Sequence, residues 1–135
     1  MLESFVQRFE MAWQNPSAEG LVALLCDDVV LYQPGASPIK GKQAAYTDFS
    51  RLLSSLPGMY GVVKKSVETE DIAFIDWEIV FVSGKKALRV SAIDKFCLRD
   101  GLAYERTVYF DQLALYLSLM RHPGLWLGFG KYRFG

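Results

Sequence analysis

Residues 92–111 read AIDKFCLRDGLAYERTVYFD. Two runs of alternating apolar and polar side chains flank Asp100-Gly101, a strong hairpin-turn signal. The runs predict strands over Ala87 to Leu98 and Leu102 to Asp111. Both carry ionisable groups on both faces, so the turn count decides which charges meet. A three-residue loop, Arg99-Asp100-Gly101, pairs Leu98 with Leu102. It sets Asp94 opposite Arg106 and Lys95 opposite Glu105, one opposite-charge pair on each face. A two-residue loop would set Lys95 opposite Arg106, and like charges directly across strands repel. The three-residue register is therefore the expected one. It gathers Val90, Ala92, Asp94, Phe96, Tyr104, Arg106, Val108 and Phe110 on one face. Ile93, Lys95, Cys97, Glu105, Thr107, Tyr109 and Asp111 fall on the other. The first set is the more apolar and should line the interior, which places Asp94 and Arg106 there as a partly buried ion pair.

Working outward, Tyr60 to Thr69 and Ile72 to Val82 read as two further strands, with Ser83-Gly84 as the next turn. In AFIDWEIVFV, Asp76 and Glu78 share one side, and Ile75, Trp77, Ile79 and Phe81 the other. The plain reading of the charged side is a solvated face. Trp77, Ile79 and Phe81 would form an apolar stripe if they faced outward, and such stripes mark interfaces. Upstream, Leu2, Phe5, Val6, Phe9 and Trp13 recur at three- and four-residue spacing, one face of a helix. Ser17 is a plausible N-cap for a short helix over Ala18 to Leu25. Val29 to Gln33 reads as a strand, and Pro34 to Gly41 as a loop. A third helix runs from about Lys42 to Leu56, stopped by Pro57-Gly58. A last helix covers Gln112 to Arg121, followed by an aromatic, glycine-rich tail over 122–135. Helices grouped before a strand meander predict a single α+β domain over residues 1–135, with a curved antiparallel sheet packed on helices.

The chain has 135 residues, 51% hydrophobic and 14% aromatic, enough for one domain with one core. Formal net charge is zero and no basic run exceeds two residues. That speaks against a nucleic-acid partner. The longest nearly uncharged stretch, Gln112 to Met120, is far short of the ~20 residues that span a bilayer. The amino terminus carries Glu3 and no basic segment, unlike a secretory leader. Cys26 and Cys97 each sit in an apolar run and read as buried free thiols, which fits a cytoplasmic protein. One histidine, His122, falls at a helix end, where the helix C-terminus accounts for it. A multi-histidine metal site is excluded by count, and no cofactor is implied. Gly128-Phe129-Gly130 lacks the strand before it and helix after it that a nucleotide loop needs.

The segments LVALLCDDVVLYQPGASPIKGKQAA and AIDKFCLRDGLAYERTVYFD resemble one superfamily. It is the cone-shaped α+β fold of ketosteroid isomerase, SnoaL-type polyketide cyclases, limonene epoxide hydrolase and nuclear transport factor 2. The resemblance covers roughly residues 2 to 121. It implies an apolar pocket between sheet and helices, and a homodimer through the outer sheet face. Carried over residue by residue, the isomerase tyrosine falls at Phe9, its base at Gln33 and its second aspartate at Asp94. Of the epoxide hydrolase set, only Asp76 matches; the other two positions are Val108 and Phe74. The cyclase-type aspartate acid-base in a hydrophobic pocket matches Asp94.

Two readings follow. The first is a cyclase, isomerase or dehydratase-type enzyme acting on an apolar small molecule. Asp94 and Arg106 would be catalytic, with Gln33, Tyr32, Trp13, Phe9 and Tyr60 lining the ligand site. The second is a non-catalytic ligand-binding or dimerisation module. Burial favours a neutral carboxyl and a nearby guanidinium favours the carboxylate. An Asp94 fully paired with Arg106 is therefore a poor acid.

Overall fold

The computed structural model describes residues 3–110 and 112–134. Helix α1 spans Phe5–Gln14, and Phe5, Phe9 and Trp13 form its buried stripe. Ser4 starts it with a capping box: its hydroxyl accepts from the Gln7 amide, and the Gln7 side chain accepts from the Ser4 amide. The Glu68 carboxylate also accepts from the Phe5 and Val6 amides, which ties this helix end to a strand edge. Leu2 lies outside the described residues.

Helix α2 (Ala18–Val22) is shorter than the sequence suggests, because the chain turns extended at Leu25 rather than Val29. Strand β1 is Leu25–Tyr32, and it carries Asp27 and Asp28 on exposed positions. Asp28 pairs there with Arg99 of the hairpin. The proline-rich loop contains a two-residue strand, β2 (Ile39–Lys40), paired to β1. Helix α3 is Lys42–Ser55. Strands β3 (Tyr60–Glu68), β4 (Ile72–Ser83), β5 (Lys86–Arg99) and β6 (Leu102–Phe110) form the meander. Asp111, expected to end the last strand, lies outside the described residues. Helix α4 (Gln112–Met120) follows, then a 3-10 turn (Pro123–Leu125) and helix α5 (Trp126–Phe134). The aromatic tail is thus largely helical.

The six strands form one curved, unclosed sheet in the order β2-β1-β6-β5-β4-β3, an α+β architecture. Neighbours are antiparallel except β1 and β6, which run parallel. The interior face meets α1 and α3. An aromatic cluster packs between α1 and the sheet: Phe9 stands edge-on to Trp77 at 4.9 Å, Trp13 meets Trp77 at 4.9 Å, and Phe5 meets Phe96 at 4.7 Å. Such pairs add about 0.5–1.5 kcal/mol each beyond the area they bury.

The β5–β6 hairpin differs from the expected register. Asp100 and Gly101 both have positive φ, 53° and 79°, so the loop has two residues and pairs Arg99 with Leu102. One extra residue on β6, Tyr104, then forms a bulge, and beyond it Cys97 faces Glu105 and Phe96 faces Arg106. The like-charge clash of a plain two-residue loop is avoided by the bulge, not by a longer turn. Asp94 lies opposite Val108 and Lys95 opposite Thr107, so neither expected charge pair is a direct cross-strand pair. Arg106 still shares the interior face with Asp94 and reaches it on the diagonal. Tyr104 leaves that face; it is exposed, with the Arg99 guanidinium over its ring at 5.2 Å.

On β4, Ala73, Ile75 and Trp77 are fully buried and Phe81 nearly so. The stripe of Trp77, Ile79 and Phe81 therefore faces the interior, not an outer interface. Glu78 points the other way and pairs with Lys64 at 3.2 Å and Arg89 at 3.6 Å. Among the described residues no helix is long and apolar enough to cross a membrane. Cys26 is a buried free thiol, while Cys97 is only half-buried.

Candidate functional site

A cavity of about 120 Å³ opens between the interior sheet face, α3 and the C-terminal helices. Most of its wall is apolar, including Trp13 from α1, Phe49 and Leu52 from α3, Phe81 from β4, Phe110 from β6 and Phe129 from α5. Four polar side chains break that surface: Gln33, Asp48, Arg106 and Tyr132. The tail supplies part of this wall because α5 docks closely on α3. A Cβ on Gly128 would sit 2.5 Å from the Ser55 carbonyl oxygen, so only glycine permits that approach. Phe129 stands edge-on to Phe81 at 4.8 Å.

Asp94 is completely buried and lies behind this wall, not on it. Its Oδ1 accepts from the Trp77 indole Nε1 at 3.0 Å and its Oδ2 from Arg106 Nε at 2.8 Å. Each carboxylate oxygen thus has its own donor. Arg106 is the member that reaches the cavity, with its side chain 13% exposed. The bond to Asp94 runs through Nε alone, on the inner edge of the guanidinium, rather than as a two-pronged contact.

Asp48 and Tyr132 are the polar residues that sequence reasoning missed. Asp48 is 9% exposed and shares a helix face with Ala45, Phe49 and Leu52. The spacing was a usable signal: a charged residue on the apolar stripe of an amphipathic helix points inward. Its Oδ2 accepts from the Tyr132 hydroxyl at 3.0 Å and its Oδ1 from Arg51 Nη2 at 3.2 Å. Burial, aided by the adjacent Asp48 carboxylate, pushes the Tyr132 phenol up to about 12. Arg106 and a hydrogen bond from Gln33 act the other way. The phenol is therefore a neutral donor at ordinary pH.

Of the other expected ligand residues, Trp13 and Gln33 line the cavity. Tyr32 does not. It is 40% exposed, because strand alternation turns Val29 and Leu31 inward and leaves Tyr32 beside Thr107 on the outer face. Phe9 is buried one layer deeper, packed on Trp77 and Phe96. Tyr60 opens edge strand β3 opposite Val80, away from the lining. His122 Nδ1 lies 2.9 Å from the Ser118 carbonyl at the end of α4, so the tautomer protonated there caps that helix.

The fold is that of a SnoaL-like domain. The family model matches residues 6–106, and the chain belongs to that family. No curated protein matches the chain. Solved structures give the same fold. A SnoaL-like polyketide cyclase of a Jannaschia species is 17% identical with a TM-score of 0.70, over 83% of this chain and 86% of that one. An LEH-like epoxide hydrolase from M. tuberculosis is 22% identical with a TM-score of 0.73, over 87% of each. A ketosteroid isomerase-like protein from Catenulispora acidiphila, in complex with trimethylamine, is 13% identical with a TM-score of 0.72, over 83% and 88%. At these identities the likeness is one of fold.

Proposed function

We propose that the chain binds an apolar small molecule in the cavity and that Arg106 directs an N–H group at an oxygen of that ligand. One observation carries this reading: a nearly buried guanidinium stands on a mostly apolar wall, its Nε anchored by Asp94. Asp94 offsets the charge and fixes the side chain, so the pair presents oriented donors without net charge. Such a site suits a neutral ligand with a carbonyl or hydroxyl oxygen better than an anion. The test is a calorimetric titration with acetophenone and with ethylbenzene, its isostere lacking the carbonyl. Acetophenone should bind ~10–100-fold more tightly, the equivalent of one hydrogen bond to a charged donor. Arg106→Met should erase the difference. Equal binding of the two probes by the unaltered protein would sink the reading.

A catalytic use of the same cavity, of the cyclase, isomerase or dehydratase type, is the second reading. It is favoured by the convergence of Gln33, Asp48, Arg106 and Tyr132 at the cavity. In that reading Arg106 stabilises a developing oxyanion and Asp94 acts through Arg106. The Jannaschia protein is named as a polyketide cyclase and the M. tuberculosis protein as an epoxide hydrolase, which supports either reading. The free cysteines fit a cytoplasmic setting.

A homodimer through the outer sheet face completes the proposal. Its support is an exposed apolar group there: Ile93 pairs across strands with Tyr109, and Phe74 faces the neighbouring Lys95. Sedimentation should give a dimer that Ile93→Glu converts to a monomer; a monomeric parent protein would refute it.

A further inference from the structure

Behind the polar side chains of the cavity lies a second one, of about 300 Å³, walled by Gly35, Ala36, Ser37, Ile39 and Arg51. Gln33, Asp48 and Tyr132 belong to both walls. Asp48 is thus the one carboxylate among the described lining residues that faces the apolar cavity, and it also faces a polar one. We propose that Asp48 is the proton-transfer residue of this protein, taking a proton from an activated C–H group of a ligand held against Arg106 and releasing it through the second cavity. The inference rests on the apolar cavity being a ligand site, and it assigns the chemistry there.

The geometry suits the role. A carboxylate has about four lone-pair positions, and Tyr132 and Arg51 occupy one on each oxygen. Positions remain for a ligand proton. The two donors fix the rotamer of Asp48, which makes Tyr132 a positioning residue. The C–H electron pair stays with the ligand and moves onto the oxygen facing Arg106. The proton sits on Asp48 until water in the second cavity takes it, which regenerates the carboxylate. Asp94 cannot do this, since it is completely buried and lies behind the wall, out of reach of a ligand in the cavity. Tyr132 lies beyond the family segment, which ends at residue 106. The orienting phenol comes from the C-terminal helix.

The test uses nitrobenzisoxazole, a neutral aromatic carbon acid. Removal of its one acidic proton makes the C–N triple bond, breaks the N–O bond and places the pair on a coloured cyanonitrophenolate. Binding is read separately, by quenching of the cavity tryptophans Trp13 and Trp77. The intact protein should turn the probe over, and Asp48→Asn should lower kcat ~100-fold or more with quenching unchanged. Tyr132→Phe should lower kcat severalfold at constant KM, and Asp48→Glu should keep part of the rate. Turnover that survives Asp48→Asn while the probe still quenches overturns the assignment and leaves the binding cavity standing. Absence of quenching in the intact protein overturns both.

Discussion

Arg106 meets Asp94 through a single 2.8 Å bond from Nε, diagonally across two strands, and the carboxylate it meets has no solvent exposure. Removing one partner of such a pair leaves a buried charge without its counterion, which typically costs about 3–5 kcal/mol. Asp94→Ala is therefore expected to lower the unfolding free energy measured in urea by that amount, and Arg106→Met by a similar one. Replacing both, as Asp94→Leu with Arg106→Met, should recover most of the loss, since only the Trp77 indole then lacks a partner. A double variant no more stable than the single ones would show that packing, not charge pairing, sets the cost.

Gly61 lies beneath Trp77. A Cβ there would stand 2.5 Å and 2.7 Å from two Trp77 ring carbons and 3.1 Å from the Trp13 Cβ. Both tryptophans are buried, so neither can swing aside. Gly61→Ala should destabilise the fold by about 1–3 kcal/mol through overpacking, read as a lower thermal midpoint. It should also alter tryptophan emission, because the two rings it displaces line the cavity. An unchanged midpoint would mean that β3 can slide away from β4 at this point.

Strand alternation in the chain was enough to sort the interior face of β5 and β6, including Asp94 and Arg106, and the family resemblance led to the fold. What misled was local. Tyr104 reads as one more alternating residue, because a bulge has no period of its own and shows only in the pairing. Tyr32 reads like a pocket residue, but the alternation that buries Val29 and Leu31 turns it outward, beside Thr107 of parallel β6. Asp48 was legible in the helical spacing of Ala45, Phe49 and Leu52. Tyr132 was harder to see. Leu125 and Phe129 precede it at helical spacing, yet three glycines in LWLGFGKYRFG argue against a helix, and only tertiary contact with α3 overrides them.

The same contact yields a prediction about α5. The Ser55 carbonyl oxygen lies where a Gly128 side chain would go, and backbone at a helix end cannot give way as a flexible side chain does. Gly128→Ala should lift α5 off α3 and carry Tyr132 away from Asp48. The expected signs are faster proteolytic cleavage after Lys131 and lost retention of cavity ligands, with the thermal midpoint falling by only a few degrees. Unchanged cleavage and unchanged binding would show that α5 docks without the close approach. The comparison variant is Gly130→Ala, where the added carbon meets nothing within 4 Å and neither faster cleavage nor weaker binding is expected.

Tyr132 sets the last expectation, on pH. Its phenol ionises at about 12 in the folded chain against about 10 when unfolded. Between those values the folded state holds a proton that the unfolded state has lost, so stability falls as pH rises. The contribution is complete below pH ~10, and about 2–3 kcal/mol is lost by the time the pH passes ~12. Urea unfolding of the intact protein and of Tyr132→Phe isolates this group from the other tyrosines. The curves for the two proteins should run parallel below pH ~10 and converge above it, the intact protein losing more. Curves that stay parallel through the alkaline range would mean that the Tyr132 hydroxyl is not held against Asp48 in solution.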